Sequence, residues 1–184
     1  MVRDMFRGIV RPARAVAHHL RLTETAKAEQ RHDSLGLSAV DPGIERAIDA
    51  GVGWLSRAQD LSASADGGVA RHYSLLTGWA PSYPETTGYI IPTLLAHAGL
   101  RGDEDARRRA KKMLDWLVSI QFPDGGFQGG SISSKRVVPV TFNTGQILLG
   151  LTSGVQEFGE YREAMRRAAD WLVKTQDPDG CWRK

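Results

Sequence analysis

Cysteine is nearly absent: Cys181 is the single one in 184 residues. No intrachain disulfide can form, and neither a Cys-rich zinc site nor a disulfide framework can be built. Long hydrophobic runs are missing too. No stretch approaches the roughly 18 apolar residues that a membrane-spanning helix needs. Charge of one sign is scarce as well: 24 Lys and Arg against 21 Asp and Glu leave a net charge of +3. That balance is too mild for a nucleic-acid surface, so no nucleic-acid partner is expected. The start of the chain lacks the apolar core of a signal peptide. The expected location is cytoplasmic, with membrane association left open.

What is present is an ordinary globular composition, 41% hydrophobic and 24% charged. Residues 1–40 read as a basic amphipathic segment. Within residues 1–22, Arg3, Arg7, Arg11, Arg14 and Arg21 stand against Asp4 alone, interleaved with Met5, Phe6, Ile9, Val10, Val16, Leu20 and Leu22. Three readings stand: a solvated leader or edge helix, an interfacial helix making peripheral contact with an anionic membrane, or an Arg-rich targeting peptide. Asp41 followed by Pro42 predicts a helix start.

Residues 41–184 repeat. Trp54, Trp116 and Trp171 are each followed by Leu, then five residues on by Gln59, Gln121 and Gln176, and then by Asp-Gly. Before each tryptophan, apolar residues recur at three- and four-residue steps, predicting a helix with one buried face. Between these helices lie "TGYIIPTLLAHAGL" from Thr87 and "TGQILLGLTSGVQE" from Thr144. Both are apolar nearly all round, which predicts helices that start at Thr-Gly and are buried on every side. Pro92 is expected to kink or shorten the first. Gly88 and Gly145 are expected to mark close backbone approach. The chain therefore alternates outer and inner helices over repeats of about 41–102, 103–159 and 160–184. The fold class expected is all-α, with about two and a half outer–inner hairpin repeats. Asp66, Asp124 and Asp179 read as turn residues, and His97 as a satisfied core histidine.

The segments "WLSRAQ…DGGV", "WLVSIQFPDGGF" and "WLVKTQDPDGCW" resemble the QW motif of squalene-hopene and oxidosqualene cyclases, and the alternation resembles the alpha-alpha toroid shared with protein prenyltransferases. The resemblance implies that Trp54, Gln59, Trp116, Gln121, Trp171 and Gln176 brace outer helices against loops rather than catalyse. It also implies a ring of about six hairpins, each buried only against its neighbours. On that basis the chain is expected to be an incomplete (α/α) toroid of about two and a half hairpin repeats, the front of a longer one. Self-association through the open edge and a truncated reading frame are the alternatives. The chain departs from the pattern: the first two copies end in Val69 and Phe127, and only the third in Trp182. It has no DxDD string, and Cys181 has no matching His for a prenyltransferase zinc site, so no metal and no cofactor is expected.

A toroid's cavity would be lined by inner helices and roofed by the long loops before them. Two stretches fall there. In residues 71–89, Glu85, His72 and Tyr73 are the candidate acid–base groups, and Trp79, Tyr83 and Tyr89 the candidate substrate-binding rings. In residues 133–146, Lys135 and Arg136 are candidates for binding a diphosphate or uronate, and Phe142 and Asn143 are further substrate-binding candidates. Each has a plainer alternative: a capping carboxylate, a surface histidine, a loop-anchoring aromatic, a solvated base. Three functions stay open: an isoprenoid-type cyclase or transferase with an aromatic cavity, a carbohydrate-active toroid such as a polysaccharide lyase or uronate epimerase, or a non-catalytic scaffold. The ligand expected is a small molecule or an oligosaccharide.

Overall fold

The computed structural model of the protein describes residues 17, 19–36 and 40–183. Of the N-terminal pattern, Met5, Phe6, Ile9, Val10 and Val16 lie outside the described residues. Helix α1 (Glu24–Leu35) is opened by Thr23, whose hydroxyl accepts the Ala26 N–H at 3.2 Å. It belongs to a unit of residues 1–43 with 74–78. A second unit, Ile44–Tyr73 with Trp79–Lys184, carries the repeats. In it run α2 (Ile44–Asp60), α3 (Pro84–Arg101), α4 (Glu104–Ile120), α5 (Thr141–Phe158) and α6 (Arg162–Thr175). Helices dominate, and the class is all-α. The loop between α2 and α3 carries two two-residue strands, β1 (Tyr73–Ser74) and β2 (Gly78–Trp79).

The amphipathic helices form where their period predicts. Asp103 caps α4, accepting from the N–H groups of Asp105 (3.0 Å) and Ala106 (3.1 Å). Ala106, Ala110, Met113, Leu114 and Leu117 then bury one face. In α6 the same face is built by Ala164, Ala168 and Trp171. Just before α6, burial pushes the Tyr161 phenol up to about 12. Its O–H donates to Asp115 at 2.7 Å. The expected start of α2 at Asp41 is corrected: the helix begins at Ile44, and Asp41 instead closes a turn by accepting the Gly43 N–H at 2.8 Å.

The inner helices begin three residues earlier than Thr-Gly suggests. Tyr83 and Val140 occupy the N-cap positions with no capping side chain, and Pro84 at the first position of α3 supplies a preset φ. Thr87 and Thr144 therefore sit one turn inside. Each hydroxyl donates to the carbonyl four residues back, Tyr83 (2.8 Å) or Val140 (2.9 Å). Each also accepts from the preceding loop: Val69 N–H to Thr87 at 2.9 Å, Phe127 N–H to Thr144 at 3.0 Å. These threonines do not start helices; they fasten the loops to them. Thr87→Val keeps the shape and strands a buried N–H, so it is expected to cost about 1–3 kcal/mol. The shift in urea midpoint would measure this, and an unchanged midpoint would show that Val69 finds another acceptor.

α3 packs on α4 and α5, and α5 on α6. The α3–α5 contact is close because of glycine: a Cβ at Gly88 would lie 2.6 Å from Ile147 Cα. Pro92 sits inside α3, and the helix runs on past it to Arg101. With no N–H at residue 92, the Gly88 carbonyl loses its helical donor. That oxygen lies against Gly150, where any Cβ would collide with it. Close approach holds for Gly88 but not for Gly145, which has nothing within 4 Å of a Cβ position. Ile91, Leu94, Met113, Leu114, Leu117, Phe127, Ile147 and Leu151 form the fully buried centre, each contributing about 1.5–3 kcal/mol by burial. The inner helices are not buried all round. Tyr89, Phe142 and Leu149 are 42%, 61% and 53% exposed, because no described element covers that side.

Candidate functional site

The repeated Asp-Gly turns make the same bond each time, and the first two glutamines share a further set. Asp66, Asp124 and Asp179 accept the N–H two residues on, at 3.1, 3.2 and 3.1 Å. The glycines between them take positive φ, 106° at Gly67 and 102° at Gly125, a region costly for side chains. The Gln59 amide donates to Gly67 O (3.0 Å) in its own loop and to Arg109 O (3.2 Å) on the next outer helix. Gln121 repeats this with Gly125 O and Ala164 O, both at 2.9 Å. The side-chain oxygens of Gln59 and Gln121 accept from Arg109 and Arg167. Arg109 also bonds Asp60 (2.7 Å) and Asp105 (2.6 Å), holding both carboxyls below their usual range. Among the described residues, Gln176 bonds only Gly180 O, at 2.8 Å.

The tryptophans close the clasp from the following repeat. Trp116 lies on Gly68, where a Cβ would sit 2.6 Å from Cη2. Trp171 lies on Gly126 and donates to Asp124 at 3.2 Å. Trp54 is different: 46% exposed, it stacks at 4.8 Å on Trp79, which in turn meets Tyr73 at 5.1 Å. It thus meets rings of the following loop where Trp116 and Trp171 meet a glycine. The sequence reading missed this cluster, because Trp54 and Trp79 stand 25 residues apart with no shared period.

The candidate acid–base residues are not assembled into a relay. His72 is exposed and Tyr73 packs against Trp79, with no hydrogen bond joining their side chains. Glu85 is half-buried in the first turn of α3, and no capping hydrogen bond to it forms among the described residues. Tyr83 lies under the Arg71 guanidinium at 5.2 Å. His97 is only partly buried and pairs with Asp103 at 3.3 Å, so it is satisfied but outside the core.

Around the start of α5 the second stretch divides. Phe142 and Lys135 are exposed, whereas Asn143 is buried. Arg136 and Asn143 line an open cavity of about 550 Å³ with Gly130 and Ser134. The Asn143 Nδ2 and Thr141 hydroxyl are buried without a partner. Among the described residues, no group of His, Cys, Asp and Glu is placed to hold a metal ion, and no helix is long and apolar enough to cross a membrane.

No protein-family model and no solved structure matches the chain. Among curated proteins it is similar to a squalene-hopene cyclase of Schizosaccharomyces japonicus (strain yFS275 / FY16936), 27% identical over 157 residues. The match covers 75% of this chain and 24% of that protein, so the chain spans about a quarter of the length of the curated relative it matches. The all-α fold is compatible with that likeness.

Proposed function

We propose that the chain is part of a cyclase-like toroid that acts on an isoprenoid-type substrate, held against the uncovered side of α3 and α5. The exposure of Tyr89, Phe142 and Leu149 carries this reading. No charged residue occurs between Glu85 and His97 in α3, or before Glu157 in α5. Such a surface favours hydrocarbon over polar ligands by the area it removes from water. The ring faces of Tyr89 and Phe142 would stabilise a positive charge developing on carbon. Glu85, at the head of α3 and without a partner among the described residues, is the carboxylate proposed for a proton step. The similarity to a squalene-hopene cyclase supports the substrate class.

A carbohydrate-active reading rests on a different observation, the stack of exposed Trp54 and Tyr73 on half-buried Trp79, with His72 next in sequence. Such a platform suits the apolar face of a sugar. Equilibrium binding separates the two. Farnesol is expected to bind, and Tyr89→Ala combined with Phe142→Ala to weaken it at least tenfold, about 1.4 kcal/mol. Farnesol binding that ignores the double variant would end the isoprenoid reading. Oligogalacturonate binding lost in Trp79→Ala would put the carbohydrate reading in its place.

A further inference from the structure

The head of α5 collects hydrogen-bond donors that no described residue uses. Val140 caps the helix without a side-chain bond, and the first turn holds no acidic residue. The first amide bonded in the helical pattern is that of Thr144, to the Val140 carbonyl at 2.9 Å. The N–H groups of Thr141, Phe142 and Asn143 are thus unpaired among the described residues, at the positive pole of an 18-residue helix. In the same turn the Thr141 hydroxyl and the Asn143 amide nitrogen are buried without a partner. Asn143 is only 5% exposed, and a buried polar group left unpaired is rare enough to need a cause.

A cavity lies against this turn. Its lining residues all fall within one segment, 129–143, so it is built by a single loop and the helix which that loop enters. Its volume of about 550 Å³ is that of a small-molecule pocket. Asn143 and Arg136 line it with Gly130 and Ser134, and no Asp or Glu does. Between Gly125 and Gln156 the chain has no acid at all, and its two charges are Lys135 and Arg136. Asp124, the acid just before, is committed to the Gly126 N–H and to Trp171.

We propose that this cavity binds the phosphate group of a small phosphate ester, held by Arg136, Asn143 and the head of α5. The Arg136 guanidinium supplies full charge and a fork of N–H donors. The helix pole supplies partial positive charge and backbone N–H groups. The Asn143 amide supplies a neutral donor. A half-turn of its terminal torsion, which is broad and two-fold, exchanges nitrogen and oxygen, so an entering acceptor meets the N–H. Three kinds of donor exceed what the two coplanar oxygens of a carboxylate can use, and they suit the terminal oxygens of a phosphate. Lys135, one residue before Arg136, does not line the cavity and takes no part. Tyr89, Phe142 and Leu149 do not line it either, so the site stands apart from the isoprenoid reading.

The test is isothermal titration calorimetry of the full 184-residue chain with glycerol 3-phosphate at physiological salt. Saturable 1:1 binding tighter than about 1 mM is expected. Arg136→Gln should weaken it at least tenfold, and Lys135→Gln less than about threefold, because exposed charges outside the cavity are screened. Asn143→Asp should abolish it without lowering the thermal midpoint, since an acid in the first turn suits the helix pole but repels phosphate. Arg136 and Lys135 are both exposed, so that pair decides the matter whatever Asn143→Asp does to folding. Absence of saturable binding overturns the proposal, as does binding that survives Arg136→Gln. An equal loss in Lys135→Gln overturns it too, by leaving only a charged loop. Glycerate bound as tightly as glycerol 3-phosphate overturns the phosphate assignment in favour of a carboxylate.

Discussion

Replacing Phe127 with alanine is expected to lower the free energy of unfolding by about 3–5 kcal/mol. Phe127 has no exposed surface, and its ring is among the largest fully buried side chains of the repeat unit. Truncation removes transfer energy and leaves a cavity between elements held by Ile147, Leu151 and Leu117. The backbone there has no freedom to collapse. Phe127 N–H is bonded to Thr144 at 3.0 Å and its carbonyl accepts from Val140 N–H at 2.9 Å. Domains of this size are stable by only about 5–15 kcal/mol, so the variant should unfold at markedly lower urea with an unchanged slope. A loss under about 1 kcal/mol would mean that the loop end is not part of the core.

The second large effect is a contrast. Gln121→Ala is expected to cost about 2–3 kcal/mol, whereas Gln176→Ala should stay within about 0.5 kcal/mol. The two residues occupy the same place in the repeat. Gln121 bonds Gly125 O, Ala164 O and Arg167, so its loss uncouples a loop and two outer helices. It also strands Arg167, whose Nε is already buried without a partner. Gln176 holds only its own turn and is exposed to water. Equal losses in denaturant titrations of the two variants would refute the inter-repeat clasp and leave Gln as a local turn residue.

The outer helices and the Asp-Gly turns were legible in the sequence because their causes are local. A capping Asp103 and a three-to-four step of apolar residues act within a few residues of one another. An Asx turn spans two residues, and Asp66, Asp124 and Asp179 form it whatever surrounds them. The starts of the inner helices were not legible. Thr87 reads as a helix start, but its hydroxyl serves a backbone N–H 18 residues away. The candidate site was legible only as a list of polar and aromatic residues. The order of residues put Tyr73 beside His72 as candidate acid–base groups; the fold packs Tyr73 against Trp79 and Trp54.

The sequence by itself determined the all-α class, the three-fold repetition and the positions of the turns, since periodicity, capping and turn chemistry are properties of neighbouring residues. Tertiary structure alone decided which repeats are satisfied. Thr87-Gly88 and Thr144-Gly145 are the same dipeptide at the same point of the repeat. One glycine lies against Ile147 and the other against open space. The difference is a packed neighbour, and close packing depends on which elements meet in space rather than on the local residues of either.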